Sequence, residues 1–186
     1  FNGQDLRSLS LQELRANFSY LPQTPFLFAG TIKDNITLGK RTFSAKDMQN
    51  ALESAALTET INELENGLNT LVGERGIILS GGQKQRITLA RALLHTAPVY
   101  LLDDPISQVD TRTGQKIIHT IKNLSEHKTL IIVSHRLAAL NFARQIISLE
   151  QGCITESGTP AELSLTNGYY SQTLRLQKLE QELDVY

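Results

Sequence analysis

The chain has 186 residues, 40% of them hydrophobic and 20% charged, which suits one domain with a buried core and excludes a disordered or fibrous protein. Its 18 Lys and Arg residues against 19 Asp and Glu give a net charge of −1, which argues against a nucleic-acid partner, because binding to a phosphate backbone needs a cationic surplus. The single cysteine, Cys153, excludes an internal disulfide framework, and no apolar run approaches the roughly 20 residues that span a bilayer.

The first half of the chain predicts one short strand followed by helices. Tyr20-Leu21-Pro22-Gln23 closes the strand. Residues 43–71 show an amphipathic helical pattern with Ser44 as the N-cap and without a strand signal. Residues 83–94 then form a good helix. This part is typical of a helical subdomain inserted into another fold.

The second half predicts a βαβ unit. Residues 99–102 and 129–133 are apolar runs without alternation, which is typical of parallel strands buried between helices. Residues 111–124 place their isoleucines on one helical face between the two runs. Residues 145–150 and 153–156 predict a hairpin around Gln151-Gly152. The predicted fold class is therefore α/β with a mostly parallel sheet.

The segment Leu79-Ser80-Gly81-Gly82-Gln83 is the strongest chemical signal in the sequence. Two glycines after a serine allow a ligand to approach the backbone closely, and the helix that follows offers free N–H groups and a partial positive charge to a phosphate. Taken alone, the segment is better explained as a turn that starts a helix, because glycine-rich turns are common.

Polar residues also follow the predicted strands. Asp103 and Asp104 end the first apolar run, where a carboxylate can hold Mg²⁺, although they could instead cap the turn at residues 105–108. His135 ends the next run and could donate to a phosphate oxygen, and Gln23 follows the strand upstream. We expect these side chains at one edge of the sheet.

Together these motifs resemble the ATP-binding cassette of ABC transporters, in the order that the family has them. Ser80 to Gln83 match the signature motif, Asp103 the Walker B aspartate, Asp110 the D-loop, His135 the switch histidine and Gln23 the Q-loop. The resemblance implies a partial RecA-like P-loop NTPase core with an inserted α-helical subdomain. It further implies one truncated domain over 1–186, divided into 1–25 (core strand and Q-loop), 26–97 (helical subdomain) and 98–186 (core with the C-terminal helices).

The same resemblance implies roles for the individual residues, with ATP and Mg²⁺ as cofactors. Mg²⁺ is assigned to Asp103 and Gln23, and contact between the two cassettes of a dimer to Asp110. The catalytic residues are Asp104, His135 and Gln23. The expected ATP contacts are Ser80, Gly81, Gly82, Gln83 and His135.

Two stretches resemble those of exporters in particular. Residues 23–36 resemble the Q-loop segment and residues 73–76 the X-loop, which in that family contact the membrane domain. Phe26, Phe28, Glu74 and Arg75 are therefore the expected coupling residues. The implied partners are a transmembrane domain and a second cassette, at the cytoplasmic face of a bacterial inner membrane.

The sequence departs from the family pattern in two ways. No G-x-x-x-x-G-K-[ST] segment occurs, so we expect a fragment that lacks the P-loop and by itself binds ATP weakly. Asp104 stands where the family has its catalytic glutamate and is one methylene shorter, which predicts a slow site of its own. This pattern resembles the degenerate half of a heterodimeric multidrug exporter.

Two other functions remain open at this point. One is a soluble ABC-type ATPase that acts on DNA or ribosomes, which the exporter-like segment and the lack of basic excess disfavour. The other is a dimerisation fragment without catalysis, which the missing P-loop would explain.

Overall fold

The computed structural model describes residues 1–40, 43–73 and 76–183. The contacts divide the chain into two compact units, residues 1–133 and 134–186, and each is described by itself.

The first unit contains a parallel sheet and a group of helices. In chain order its elements are α1 (Leu11–Ala16), β1 (Phe18–Leu21), β2 (Gly30–Thr31), α2 (Ile32–Thr37), α3 (Ala45–Ser54), α4 (Thr58–Glu63), β3 (Leu71–Val72), α5 (Gly81–Leu94), β4 (Val99–Asp103), α6 (Thr111–Ser125) and β5 (Thr129–Val133). The predicted strand–helix–strand unit is confirmed as β4, α6 and β5, and the α/β class with it.

The main sheet has the order β1-β4-β5, with all strands parallel. The central strand β4 is the most buried, and Tyr100 and Leu102 are each 1% exposed. The prediction that both apolar runs are buried on two faces is wrong for β5, because Ile131 and Val133 are 54% and 59% exposed. β5 lies at an edge of this sheet. Ile131 is in register with Leu101 and, through it, with Tyr20, and both Ile131 and Tyr20 are exposed.

The helical part of the first unit is confirmed, with one correction. Ser44 caps α3 as predicted, and its hydroxyl accepts from the N–H of Asp47. Leu71, however, lies in β3, which pairs antiparallel with β2, so the prediction of no strand in this part was wrong. A strand of two residues is too short to produce a periodic pattern.

Helix α5 connects the helical part with the sheet. It packs against α2 and α3 on one side and against β1 on the other. Ile87, Leu89 and Ala90 are at most 1% exposed, and full burial of an Ile or Leu side chain stabilises a fold by roughly 1.5–3 kcal/mol. The hydroxyl of Ser19 in β1 donates to the carbonyl of Ala92 at 2.6 Å. These contacts fix the position of α5 relative to β1.

The second unit contains β6 (Ile146–Glu150), β7 (Cys153–Gly158), α7 (Pro160–Ser164) and α8 (Tyr169–Leu183). β6 and β7 pair antiparallel, so the predicted hairpin is confirmed. Its small core consists of Leu137, Ile146, Leu163 and Tyr170. Within the described part of the chain, no helix has the length and apolarity needed to cross a bilayer.

Candidate functional site

Two of the predicted site residues follow neighbouring parallel strands. Asp103 is the last residue of β4, and Gln23 lies two residues beyond the end of β1. Leu21 of β1 is in register with Leu102 of β4. Asp103 and Gln23, which follow these two residues, therefore both lie at the carboxyl edge of the sheet. Ligands of open α/β sheets bind at this edge.

The predicted glycine-rich turn begins helix α5 with Ser80 as its N-cap. The Ser80 hydroxyl accepts from the N–H of Gln83 at 3.2 Å, and the side-chain oxygen of Gln83 accepts from the N–H of Ser80 at 2.9 Å. A hydroxyl that accepts a hydrogen bond still has its own hydrogen to donate. Ser80 is exposed and can donate this hydrogen to a ligand. The side-chain oxygen of Gln83, by contrast, already accepts a hydrogen bond within the cap.

The charge of this cap differs from that of the other caps of the same type. At the third position of α1, α2, α3 and α7, the capping partner is a carboxylate: Glu13, Asp34, Asp47 and Glu162. In α5 it is the neutral amide of Gln83, and the first turn contains no acid. A carboxylate there would offset the positive end of the helix dipole and repel an anion. The start of α5 is therefore better suited to a phosphate than the other four.

The two glycines of the turn are in close contact with the loop that follows β4. A Cβ atom at Gly81 would collide with the side-chain oxygen of Gln108, and a Cβ at Gly82 would lie 2.5 Å from the Gln108 carbonyl. The contact at Gly82 is with backbone and leaves no room for a side chain, whereas the one at Gly81 is with the end of a flexible side chain. The glycines thus serve local packing as well as any approach of a ligand.

Asp104 begins this loop in an unusual backbone conformation. Its φ is +52°, in the left-handed region that non-glycine residues rarely adopt, and the residue is buried. Its N–H donates to the carbonyl of Val133 at 2.7 Å, and its carbonyl accepts from Gln85 at 2.7 Å. Such a conformation persists only where the surroundings hold it, and here they hold it on both sides of the residue.

Asp110 ends the loop and begins α6. Its carboxylate accepts from the N–H of Thr113 at 2.9 Å and is the N-cap of that helix. Hydrogen bonds from the side chain and the backbone of Thr113 lower the pKa of Asp110 below its ordinary value. Asp110 is therefore ionised at neutral pH, and its proposed role in a dimer remains a prediction.

His135 belongs to the second unit, and its role toward a phosphate remains a prediction. Its carbonyl accepts from the side-chain amide of Gln177 at 2.6 Å. This bond ties the segment after β5 to α8 within that unit.

The predicted coupling residues Phe26 and Phe28 form an exposed aromatic pair. Their rings meet edge to face at 5.0 Å, and 61% and 52% of the residues are exposed. The buried Asn35 exchanges hydrogen bonds with the N–H and carbonyl of Phe28 at 2.8 and 2.9 Å. Arg91 donates to the carbonyls of Asn35 and Phe26 at 2.7 and 3.1 Å and lies over the Phe28 ring.

The aromatic pair is therefore held from below by side chains of α2 and α5. The other two predicted coupling residues, Glu74 and Arg75, lie outside the described residues.

The sheet edge fits Mg²⁺ held together with phosphates rather than by protein alone. Asp103 offers carboxylate oxygens and Gln23 an amide oxygen, which are suitable donors for this ion. In the described ranges no group of three or more His, Cys, Asp or Glu residues could form a metal site. Mg²⁺ commonly takes one or two protein oxygens and completes its shell with water and phosphate.

The structure adds residues for which the sequence analysis gave no role. Gln85, Asn35 and Arg91 link loop 104–108 and the aromatic pair to helices. Gln85 and Asn35 are each 1% exposed. A polar residue at a position that helical periodicity assigns to the buried face would have indicated both, because buried polar groups need partners.

Comparison with known proteins gives a consistent family match. Residues 1–107 match the family model described as ABC transporter. The probable multidrug resistance ABC transporter ATP-binding/permease protein YheI of Bacillus subtilis is 40% identical over 179 residues, which is 96% of this chain and 31% of the relative. The multidrug resistance-like ATP-binding protein MdlA of Escherichia coli is 40% identical over 184 residues, 99% of this chain and 31% of the relative.

A third relative and a solved structure agree. The ATP-dependent lipid A-core flippase of Vibrio parahaemolyticus is 39% identical over 177 residues, 95% of this chain and 30% of the relative. The structure of a bacterial Atm1-family ABC exporter with ATP bound matches with a TM-score of 0.89 at 37% identity, over 95% of this chain and 31% of that chain. The chain thus spans about a third of the length of these relatives.

Proposed function

This chain belongs to the ABC transporter family, and we propose that it is the ATP-binding cassette of an exporter, in which ATP hydrolysis drives transport across a membrane. The named relatives include multidrug resistance proteins and a lipid A-core flippase, and the matched structure is an exporter with ATP bound. The transported substrate is a property of the membrane helices, and the cassette supplies the energy.

The observation that carries this proposal is the start of helix α5. Ser80 has a hydroxyl hydrogen to donate, Gly81 is exposed, and the capping amide is neutral. All three features favour a phosphate at the positive end of the helix. In the proposed dimer of cassettes, Ser80, Gly81 and Gly82 contact the γ-phosphate of a nucleotide held mainly by the other cassette.

The chain's own nucleotide site lies at the carboxyl edge of the sheet. Asp103 and Gln23 would hold Mg²⁺, which neutralises charge on the phosphates when bound. Along the chain, Gln23 lies between the end of β1 and the exposed aromatic pair, which we assign to contact with the transmembrane domain. The family resemblance assigns the attacking water and the γ-phosphate to His135. Catalysis of this kind is mostly positioning and electrostatics.

The two sites of the dimer are unequal in this proposal. Asp104 has a shorter side chain than the family's glutamate, and its backbone is fixed on both sides, so it cannot easily move toward a water. A shift of about 1 Å at such a base can cost on the order of a hundredfold in rate. The chain therefore holds a slowly hydrolysed ATP itself and supports hydrolysis in a partner cassette through Ser80 to Gly82. A heterodimer at the cytoplasmic face of a bacterial inner membrane fits this division.

The test is ATP hydrolysis by the full-length protein and its partner in lipid vesicles, with and without Mg²⁺. We expect Mg²⁺-dependent turnover that DNA or ribosomes do not stimulate. Stimulation by either of these would favour a soluble ATPase of the same family. A protein that dimerises but neither binds nor hydrolyses ATP would favour a purely structural fragment.

A further inference from the structure

Gln85 of helix α5 is buried, and its side-chain amide makes three hydrogen bonds to loop 104–108. Its nitrogen donates to the Asp104 carbonyl at 2.7 Å and to the Ser107 hydroxyl at 3.0 Å. Its oxygen accepts from the N–H of Gln108 at 3.0 Å. Because the loop presents acceptors on one side and a donor on the other, only one orientation of the amide satisfies all three bonds.

These bonds fix the loop at both ends of a tight turn. The Asp104 carbonyl also accepts from the N–H and the hydroxyl of Ser107, at 3.2 and 3.1 Å. Gln85 thus closes a ring of hydrogen bonds around the left-handed residue Asp104. Beyond Gln108 the chain continues directly to Asp110 and α6, so the loop has little freedom between its anchors.

The same loop supports the phosphate-facing turn from below. Gly82 packs against the backbone carbonyl of Gln108, and Gly81 packs against the end of its side chain. The N–H that Gln85 accepts belongs to this same Gln108. The hydrogen bond between Gln108 and Gln85 therefore holds the loop at a fixed distance from the first turn of α5.

We propose that Gln85 is a positioning residue for ATP hydrolysis. It holds loop 104–108 against the first turn of α5, so that Ser80, Gly82 and the nearby Asp110 keep a fixed geometry. The inference rests on the proposed function and extends it to a residue that touches no nucleotide. Through Gln85, the start of the loop beside the chain's own site and the turn offered to the partner's site move as one body.

The expected effect falls on turnover rather than on ATP affinity. Most contacts that bind ATP belong to other segments, whereas Ser80 and Gly82 act on the phosphate that is transferred. Displacement of about 1 Å can cost on the order of a hundredfold in rate. Loss of Gln85 should therefore lower kcat and leave KM nearly unchanged.

The test compares Gln85→Met with Gln49→Met in the full-length protein assembled with its partner in lipid vesicles. Met keeps the unbranched shape of Gln and removes its hydrogen bonds, and Gln49 is an exposed helical Gln in α3. We expect Gln85→Met to lower kcat at least about tenfold, with KM within about twofold of the wild type. Gln49→Met should match the wild type in both.

A milder variant covers the case in which Gln85→Met folds poorly. Ser107→Ala removes one partner of Gln85 and should lower kcat by about threefold, which is less than Gln85→Met does. The kcat of the double variant should lie within about twofold of that of Gln85→Met, because the two substitutions remove the same contact. Equal kcat for Gln85→Met and Gln49→Met, or a rise in KM alone, would overturn the proposal. So would independent, multiplicative effects of the two substitutions.

The proposal and the proposed function fail in different ways. If the wild type hydrolyses no ATP, the proposed function is wrong, and hydrogen exchange at the Gln108 amide then tests the contact directly. Exchange should be at least about tenfold faster in Gln85→Met than in Gln49→Met, because the amide loses its acceptor. Equal exchange would contradict the positioning role.

Discussion

The two ends of helix α5 are held by opposite kinds of contact. At its start, neutral groups make the contacts with the cap and the loop. The amide of Gln83 completes the helix cap, the amide of Gln85 binds loop 104–108, and Gly82 packs against that loop. In its last turn, the guanidinium of Arg91 binds the carbonyls of Asn35 and Phe26. A cation at the C-terminal end complements the helix dipole, whereas neutral groups at the N-terminal end leave the positive charge of the helix to an anion.

This difference fits the proposal that the start of α5 binds a ligand, whereas the contacts at its end stabilise the fold. Burial and ordinary hydrogen bonds account fully for the Arg91 end. At the other end, a carboxylate could cap the helix, as it does in α1, α2, α3 and α7, and the proposed phosphate accounts for the neutral Gln83 in its place. Substitutions at the start of α5 should therefore affect the turnover of ATP, and those at the Arg91 end should affect the stability of the fold.

The largest expected effect is that of Gly82→Ala. The new Cβ would lie 2.5 Å from the Gln108 carbonyl, so the turn must shift, and we expect ATP hydrolysis to fall about a hundredfold. The matched control is Gly114→Ala in α6, where the Cβ would be 3.8 Å from Val109. That variant should gain roughly 0.5–1 kcal/mol in the free energy of unfolding and keep its activity. Equal activity of the two variants would contradict the role of the turn.

Arg91→Met tests the other end. It leaves the Asn35 and Phe26 carbonyls without their donor, and we expect the free energy of unfolding, measured with a denaturant, to fall by about 2–4 kcal/mol. Arg15→Met on the exposed surface of α1 should change it by no more than about 0.5 kcal/mol. If the two variants unfold alike, the contact between α5 and the aromatic pair is not stabilising.

Gln83→Glu has the smallest expected effect and separates the two demands on the cap. It converts this cap into the acidic type, which should leave stability unchanged or raise it, while repulsion of the phosphate lowers kcat for ATP hydrolysis about two- to fivefold. Asp47→Asn in α3 makes the reverse change and should lower stability without altering kcat. A kcat that stays constant in Gln83→Glu would indicate that no phosphate approaches this helix end.

The sequence predicted those parts of the fold whose residues carry a pattern. The apolar runs of β4 and β5 and the cap Ser44 are local signals, and the structure confirms them. The exposure of Ile131 in β5 was not predictable, because a run of apolar residues does not reveal what covers each face.

The contacts that position the site could not be predicted, because they join distant residues. Gln85 binds Asp104 and Gln108 across 19 and 23 positions, and Arg91 binds Phe26 across 65. Periodicity can mark such a residue as buried and polar, but its partners follow only from the packing of α5 on the sheet and the loop.

The central claim is that this chain supports hydrolysis through the start of α5 rather than through Asp104. The direct measurement is the ATPase rate of the proposed full-length heterodimer with Ser80→Ala or Asp104→Asn in this chain, and with Ser44→Ala as a control for loss of a helix cap. We predict that Ser80→Ala lowers the rate at least about tenfold, while the other two stay within about threefold of the wild type. Equal loss from Ser80→Ala and Asp104→Asn would contradict the account.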